Sequence, residues 1–208
     1  MNKSADSRTE ATHDRLLDAA LSLFAQRGVV ATTVGDIETA AGLARRSGAL
    51  YKYFESKDAL LTACLERHLA TVTNLEEELA LQPLGEIRSE LTLLGRWLMH
   101  ELEVERNITH ILEREGHKLG TLRDRMRTEI SDRGYLIGAA VIGRWRPDLP
   151  PDRRDPMAVV IVGALINYKR STWTLGGAPL ALTEEQFIDE WVDICLTLYE
   201  PDRQAGPA

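Results

Sequence analysis

Apolar residues recur three and four positions apart along most of this chain, a period that selects helices over strands. Leu17, Ala20, Leu21 and Phe24, widened by Leu16 and Leu23, make one face of a first helix expected over 12–27, and Gly28 stops it. Val34, Ile37 and Ala41 repeat the spacing in a shorter second helix that Gly42 ends. Thr33 precedes it and can accept a bond from a free amide of the first turn, while Asp36 adds negative charge there. Leu50 and Phe54, four apart, mark the apolar side of a third short helix, with Arg46, Tyr51, Lys52 and Tyr53 pointing elsewhere. Ser56 then caps a long fourth helix over 57–81, whose buried side carries Leu60, Leu61, Cys64, Leu65, Leu69, Val72, Leu75 and Leu79.

After the break at Pro83 and Gly85, helices are expected over 86–103, 106–115 and 119–145. The stretch 146–151, RPDLPP, reads as a loop. The following helix, 156–175, is apolar nearly all round, so it is expected to be buried on every side. Thr183 and Gln186 form a capping box that opens a last helix over 183–199. The polar residues 1–10 read as a frayed terminus. The expected fold class is all-α, with about nine helices and no strand pattern longer than a few residues.

Chemistry concentrates at 32–57, TTVGDIETAAGLARRSGALYKYFESK. Read from these residues alone, two short helices across a glycine fit a DNA-binding helix-turn-helix and equally many other helical folds. Arg45 and Arg46 alone also suit a solvated surface, and Tyr-x-Tyr-Phe also suits a core. The net charge of −7 first argues against nucleic acid. Residues 1–60, however, carry eight Lys/Arg and eight Asp/Glu, so the whole deficit lies after them, and local charge governs DNA affinity.

The two cysteines give no disulfide framework and no metal spacing, and both sit among apolar neighbours. The five histidines are scattered, and no nucleophile motif or phosphate loop is present, which argues against an enzyme, a metal site or a cofactor. Residues 1–12 lack the apolar core of a signal peptide, and the longest apolar run, 157–166, is too short to cross a bilayer. No membrane association and a cytoplasmic location are therefore expected.

The segments LLDAALSLFAQRG at 16–28, ATTVGDIETAAGL at 31–43 and GALYKYFESKDALL at 48–61 together resemble the DNA-binding domain of the tetracycline-repressor (TetR) family of transcriptional regulators. Its usual pattern, Gly-Val-Ser-x-Gly-Thr-Leu-Tyr, corresponds here to Gly42–Tyr51 and is two residues longer in this chain. The resemblance implies a three-helix head with its arm at 1–57 and a helical ligand-binding and dimerisation domain at 58–208. It implies a repressor released from a palindromic double-stranded DNA operator by a small hydrophobic or amphipathic ligand of unknown identity. Thr33, Tyr51, Tyr53 and Lys57 would meet phosphates, Gly48 would let the backbone approach DNA, and Ser47 and Lys52 would flank it. Arg45 or Arg46 would read a guanine, since a guanidinium can bond O6 and N7 together.

Helices 156–175 and 183–199 would pair with their copies in a homodimer. Trp97, His100, His110, Met126, Trp145, Tyr168 and Trp173 are the aromatic and adaptable residues able to line a ligand pocket, although each also suits plain packing. Two alternatives remain open: a helical ligand-binding protein that ignores DNA, and a repressor without a ligand.

Overall fold

The structure, a computed structural model, describes residues 3–45, 47–72 and 85–199. In chain order the helices are α1 (Lys3–Arg27), α2 (Val34–Ala40), α3 (Lys57–Val72), α4 (Ile87–Val104), α5 (Arg106–Glu115), α6 (Thr121–Met126), α7 (Asp132–Trp145), α8 (Pro151–Leu175) and α9 (Glu184–Tyr199). All regular structure among the described residues is helical. The chain packs into two units, one drawn from Met1–Glu76 and Glu105–Glu129, the other from Glu77–Val104 and Ile130–Ala208.

In the first unit α1 packs against α2, α3 and α5. Leu16, Leu17, Ala20 and Phe24 of α1 are buried together with Ile37 of α2, Leu50, and Leu60, Leu61, Cys64, Leu65 and Leu69 of α3. Ile108 and Ile111 of α5 are buried in the same unit. These are the stripes that the three-and-four spacing marks, and each fully buried Leu or Phe contributes about 1.5–3 kcal/mol.

Several boundaries differ from expectation. α1 starts at Lys3 and takes in much of the stretch expected to fray, since no Gly or Pro interrupts the chain from there to Arg27. The expected continuation of the fourth helix over 73–81 lies outside the described residues. The expected helix 119–145 is α6 and α7 joined through a π-helical stretch, Arg127–Ser131. α8 begins at Pro151, earlier than Pro156, because Pro150 is extended and Pro151 stands at the first helical position, where its missing N–H costs nothing.

In the second unit α4 packs against α8 and α9, and α7 packs against α8. Leu91, Met99, Ile142, Leu165, Trp191 and Cys195 are at the centre. Gly95 admits the Trp191 ring, which a Cβ there would meet at 3.3 Å. The indole N–H of Trp191 donates to the Ile161 carbonyl at 2.9 Å. Thr183 and Gln186 exchange bonds of 3.1 and 2.9 Å at the start of α9, the expected capping box. α8 is not buried all round: Val159 and Val160 are exposed in the single chain.

Both cysteines are buried, and burial pushes each thiol up to about 12. The thiolate is the reactive form, so neither residue is poised for chemistry. A disulfide-exchange reagent at pH 8 is expected to find no reactive thiol in the folded chain and two after denaturation; thiol titration with and without guanidinium checks this.

Candidate nucleic-acid interface

α2 is set by reciprocal bonds at its start. Thr33 has extended backbone (φ −90°, ψ 154°) and its hydroxyl accepts from the Asp36 amide at 3.2 Å, while the Asp36 carboxylate accepts from the Thr33 amide at 3.3 Å. The Thr33 hydroxyl and amide hold the Asp36 carboxyl below its ordinary 3.8, and the Arg45 guanidinium adds to this from 3.6 Å. α2 ends as expected at Gly42, which has φ +71°.

The next segment departs from expectation. In place of a short α-helix, the described residues between α2 and α3 form only a 3₁₀ turn, Leu50–Lys52. Gly48 has φ +70°, a left-handed value that interrupts a right-handed helix. Two leading amides of the segment go to a buried side chain, and the Ser47 amide is shared with the Ala44 carbonyl at 3.2 Å. Ser47 N–H donates to Glu38 Oε2 at 3.0 Å, and Leu50 N–H donates to Glu38 Oε1 at 3.2 Å. Glu38 projects from α2 and is 0 % exposed. Burial acts to raise its carboxyl, but the Leu50 amide, the Ser47 hydroxyl and the Ser47 and Ala49 amides outweigh it, and the group stays below its ordinary 4.5.

Leu50 and Phe54 are buried, as their spacing predicts, and Phe54 stacks on His13 of α1 with centroids 5.0 Å apart. Thr33, Arg45, Ser47, Tyr51 and Lys52 are exposed, Tyr51 at 61 %. Gly48 and Tyr53 are half-buried. Arg46 lies outside the described residues.

Lys57, expected at a phosphate, has two of its three ammonium protons committed inside the unit. It donates to the carbonyls of Val29 and Thr32, both at 2.8 Å, and so ties the α1–α2 connector to the start of α3. Ser56 caps that helix by accepting from the Ala59 amide at 3.0 Å. The same connector is held from α5. Arg114 donates to the Ala25 and Gln26 carbonyls at 3.0 and 2.9 Å, and buried Glu115 accepts from the Val29 amide at 3.1 Å. Lys118 bonds Glu115 at 2.8 Å and, with the Val29 amide, holds its carboxyl below the ordinary 4.5 against the pull of burial. Gly28, with φ +80°, leaves room for this carboxylate, which a Cβ would meet at 3.3 Å.

Sequence reasoning missed Glu38, Arg114 and Glu115 as organising residues. Glu38 carried a signal, since it lies on the apolar stripe beside Ile37 and Ala41. Arg114 and Glu115 carried none, because their partners lie 86 to 89 residues away.

The residues expected at a ligand divide between the units. Met126 is buried and His110 half-buried in the first. In the second, Trp97 is half-buried and His100 exposed. Trp145 donates to Glu90 at 3.0 Å, Tyr168 donates to the Leu182 carbonyl at 3.0 Å and stacks on Phe187, and Trp173 donates to Glu103 at 3.1 Å. A groove of about 610 Å³ in the first unit is lined by none of the seven; Asp58, Glu66, Glu115, Lys118 and Arg125 give it a charged wall. Among the described residues, no group of three or more His, Cys, Asp or Glu is placed to hold a metal, and no helix is long and apolar enough to cross a membrane.

A family profile for bacterial regulatory proteins of the tetR family matches residues 16–64. The HTH-type transcriptional regulator TtgR of Pseudomonas putida is 27% identical over 212 residues, covering 95% of this chain and 96% of that protein. The HTH-type transcriptional regulator AcrR of Shigella flexneri is 34% identical over 103 residues, 50% of this chain and 46% of its own length. The crystal structure of reduced NemR from E. coli shares the fold, with a TM-score of 0.60 at 19% identity over 88% of this chain and 94% of that one.

A capped helix, a glycine turn and an exposed polar segment over a braced core, in a chain matched to such relatives, define a helix-turn-helix DNA-binding transcriptional regulator. Residues 16–64 are thus similar to the DNA-binding part of the tetR family of bacterial regulatory proteins.

Replacing Lys57 by Met strands two carbonyls, and the expected loss is about 1–3 kcal/mol in denaturant unfolding. Acid should also weaken the first unit. Asp36, Glu38 and Glu115 all have lowered folded values, so their contribution is complete above the ordinary 3.8 and 4.5 and is lost as pH falls through the folded values. Urea unfolding across a pH series is expected to show that decline, with a shallower slope for Glu115→Gln.

Proposed function

We propose that the protein is a homodimeric repressor that binds a palindromic operator and leaves it when a small hydrophobic or amphipathic ligand binds. It acts in the cytoplasm without catalysis. The observation that carries the reading is the exposed set Thr33, Arg45, Ser47, Tyr51 and Lys52 on a segment braced from below by Glu38.

Thr33, Tyr51 and Tyr53 contact phosphates and set the register, and Lys57 adds positive charge there while holding the connector. Arg45 or Arg46 reads a guanine edge, and Gly48 brings the backbone close to DNA. Residues 1–57 act as the DNA-binding head, and 58–208 as the ligand-binding and dimerisation part.

Dimerisation runs through 156–175 and 183–199. Support comes from the apolar residues these helices leave in water, Val160 at 73 % and Ile194 at 52 % exposure. A two-fold dimer presents two reading segments to two half-sites, which makes the operator palindromic. The ligand lies in the second unit, among residues such as Trp97, His100, Trp145, Tyr168 and Trp173, and releases the operator by its differential affinity for the free state.

Selection of duplexes from a random pool, followed across salt concentrations, is expected to return a palindrome with a steep salt slope; enrichment no better than random DNA would reject the reading. Arg46→Ala is expected to relax one base-pair preference, and an equal loss on selected and random duplexes would remove its base-reading role. Val160→Glu is expected to halve the mass seen by sedimentation if the apolar faces pair, and an unchanged mass would exclude that interface.

A further inference from the structure

The segment that meets DNA contains an irregular backbone whose own bonds are short-range turn bonds, from the Ser47 amide to the Ala44 carbonyl at 3.2 Å and from the Lys52 and Tyr53 amides to the Ala49 and Leu50 carbonyls at 3.1 and 2.9 Å. It is two residues longer than the family pattern. Its 3₁₀ turn starts at Ala49, which supplies no side-chain cap. The Ala49 amide has only a 3.3 Å contact with the Ser47 hydroxyl in its own segment. Gly48 turns the chain at φ +70°, and a Cβ there would meet nothing within 4 Å. The bonds that tie the bend to the core come from α2. The two oxygens of Glu38 accept the Ser47 and Leu50 amides at 3.0 and 3.2 Å, and the residue is fully buried on a helix that Ile37 and Ala41 anchor in the core.

We infer that Glu38 is the positioning residue for base reading: its buried carboxylate fixes the backbone of residues 47–53 before DNA arrives. The inference rests on the DNA-reading assignment above. A buried carboxylate persists only where several donors converge on it, and here the donors are the leading amides of the reading segment. Leading amides of this kind are an ordinary phosphate site. In this chain an internal anion already occupies them, so phosphate contacts fall to side chains, those of Thr33, Tyr51, Tyr53 and Lys57. Ordering the segment in advance also removes an entropic cost from specific binding. Non-specific binding does not need that order, because it depends on charge alone.

Glu38→Gln tests this. A glutamine keeps one acceptor and turns an NH₂ group toward the other amide, so one of the two bonds is lost. With the full chain and the selected duplex, affinity is expected to fall by about tenfold or more, the size of one lost charged hydrogen bond. Affinity for random duplex should stay within about twofold, because the exposed charges are untouched. Hydrogen exchange supplies a second readout. In free wild-type protein the Ser47 and Leu50 amides should exchange slowly, and in Glu38→Gln rapidly, with Leu60 and Leu65 unchanged.

A Glu38→Gln protein with the wild-type ratio of specific to random affinity overturns the inference, as does a parallel loss on both duplexes. Should the variant not fold, wild-type exchange decides: fast exchange at Ser47 and Leu50 overturns the inference, and slow exchange supports it. If wild-type protein selects no duplex, the DNA reading itself falls and takes this inference with it. A selected duplex with an unaffected variant removes only the role of Glu38.

Discussion

Irregular backbone packed inside a protein must have its amides and carbonyls satisfied, and in the first unit distant charged side chains do this. Glu38 takes the Ser47 and Leu50 amides between α2 and α3. Lys57 takes the carbonyls of Val29 and Thr32, Glu115 takes the Val29 amide, and Arg114 takes the last carbonyls of α1. Each ion is itself held by more than one partner, which offsets the cost of bringing it out of water. The helices of the head are short, and α2 has only seven residues. Such a helix is not stable by itself, so the orientation of the exposed side chains depends on this network.

The arrangement also bears on signalling. α5 carries Arg114 and Glu115 at its C-terminal end, and both reach the end of α1 and the connector that leads to α2. His110 lies one turn earlier on the same helix. A displacement of α5 would therefore alter the support of the end of α1 and the connector directly, through three hydrogen bonds of known partners.

How much of this was legible depends on sequence distance. Helix stripes, the caps at Thr33, Ser56 and Thr183, and the stop at Gly42 are local, and the three-and-four spacing with its flanking residues located them. The exposed set at 33–52 was also readable, because Leu50 and Phe54 claim the inward side and leave the rest outside. What the spacing left open was where the turn after Gly42 ends. A helical pattern of apolar positions was present, but it did not reveal that a buried acid on the preceding helix would compete for the same amides. Lys57 was legible only in part for a related reason: its charge suggested an external partner, and nothing local showed that its four-carbon stem also reaches two carbonyls 25 and 28 residues back. The expectation that the apolar helix at 156–175 is buried on every side failed, since Val159 and Val160 are exposed in the single chain.

The Glu38 bonds span nine and twelve residues, which makes α2 and the reading segment one transplantable part. Moving only 43–53 into another regulator of this fold would leave the longer turn without its acceptor. If the turn carries the DNA preference proposed above, an exchange of that preference takes the acid at position 38 along with it.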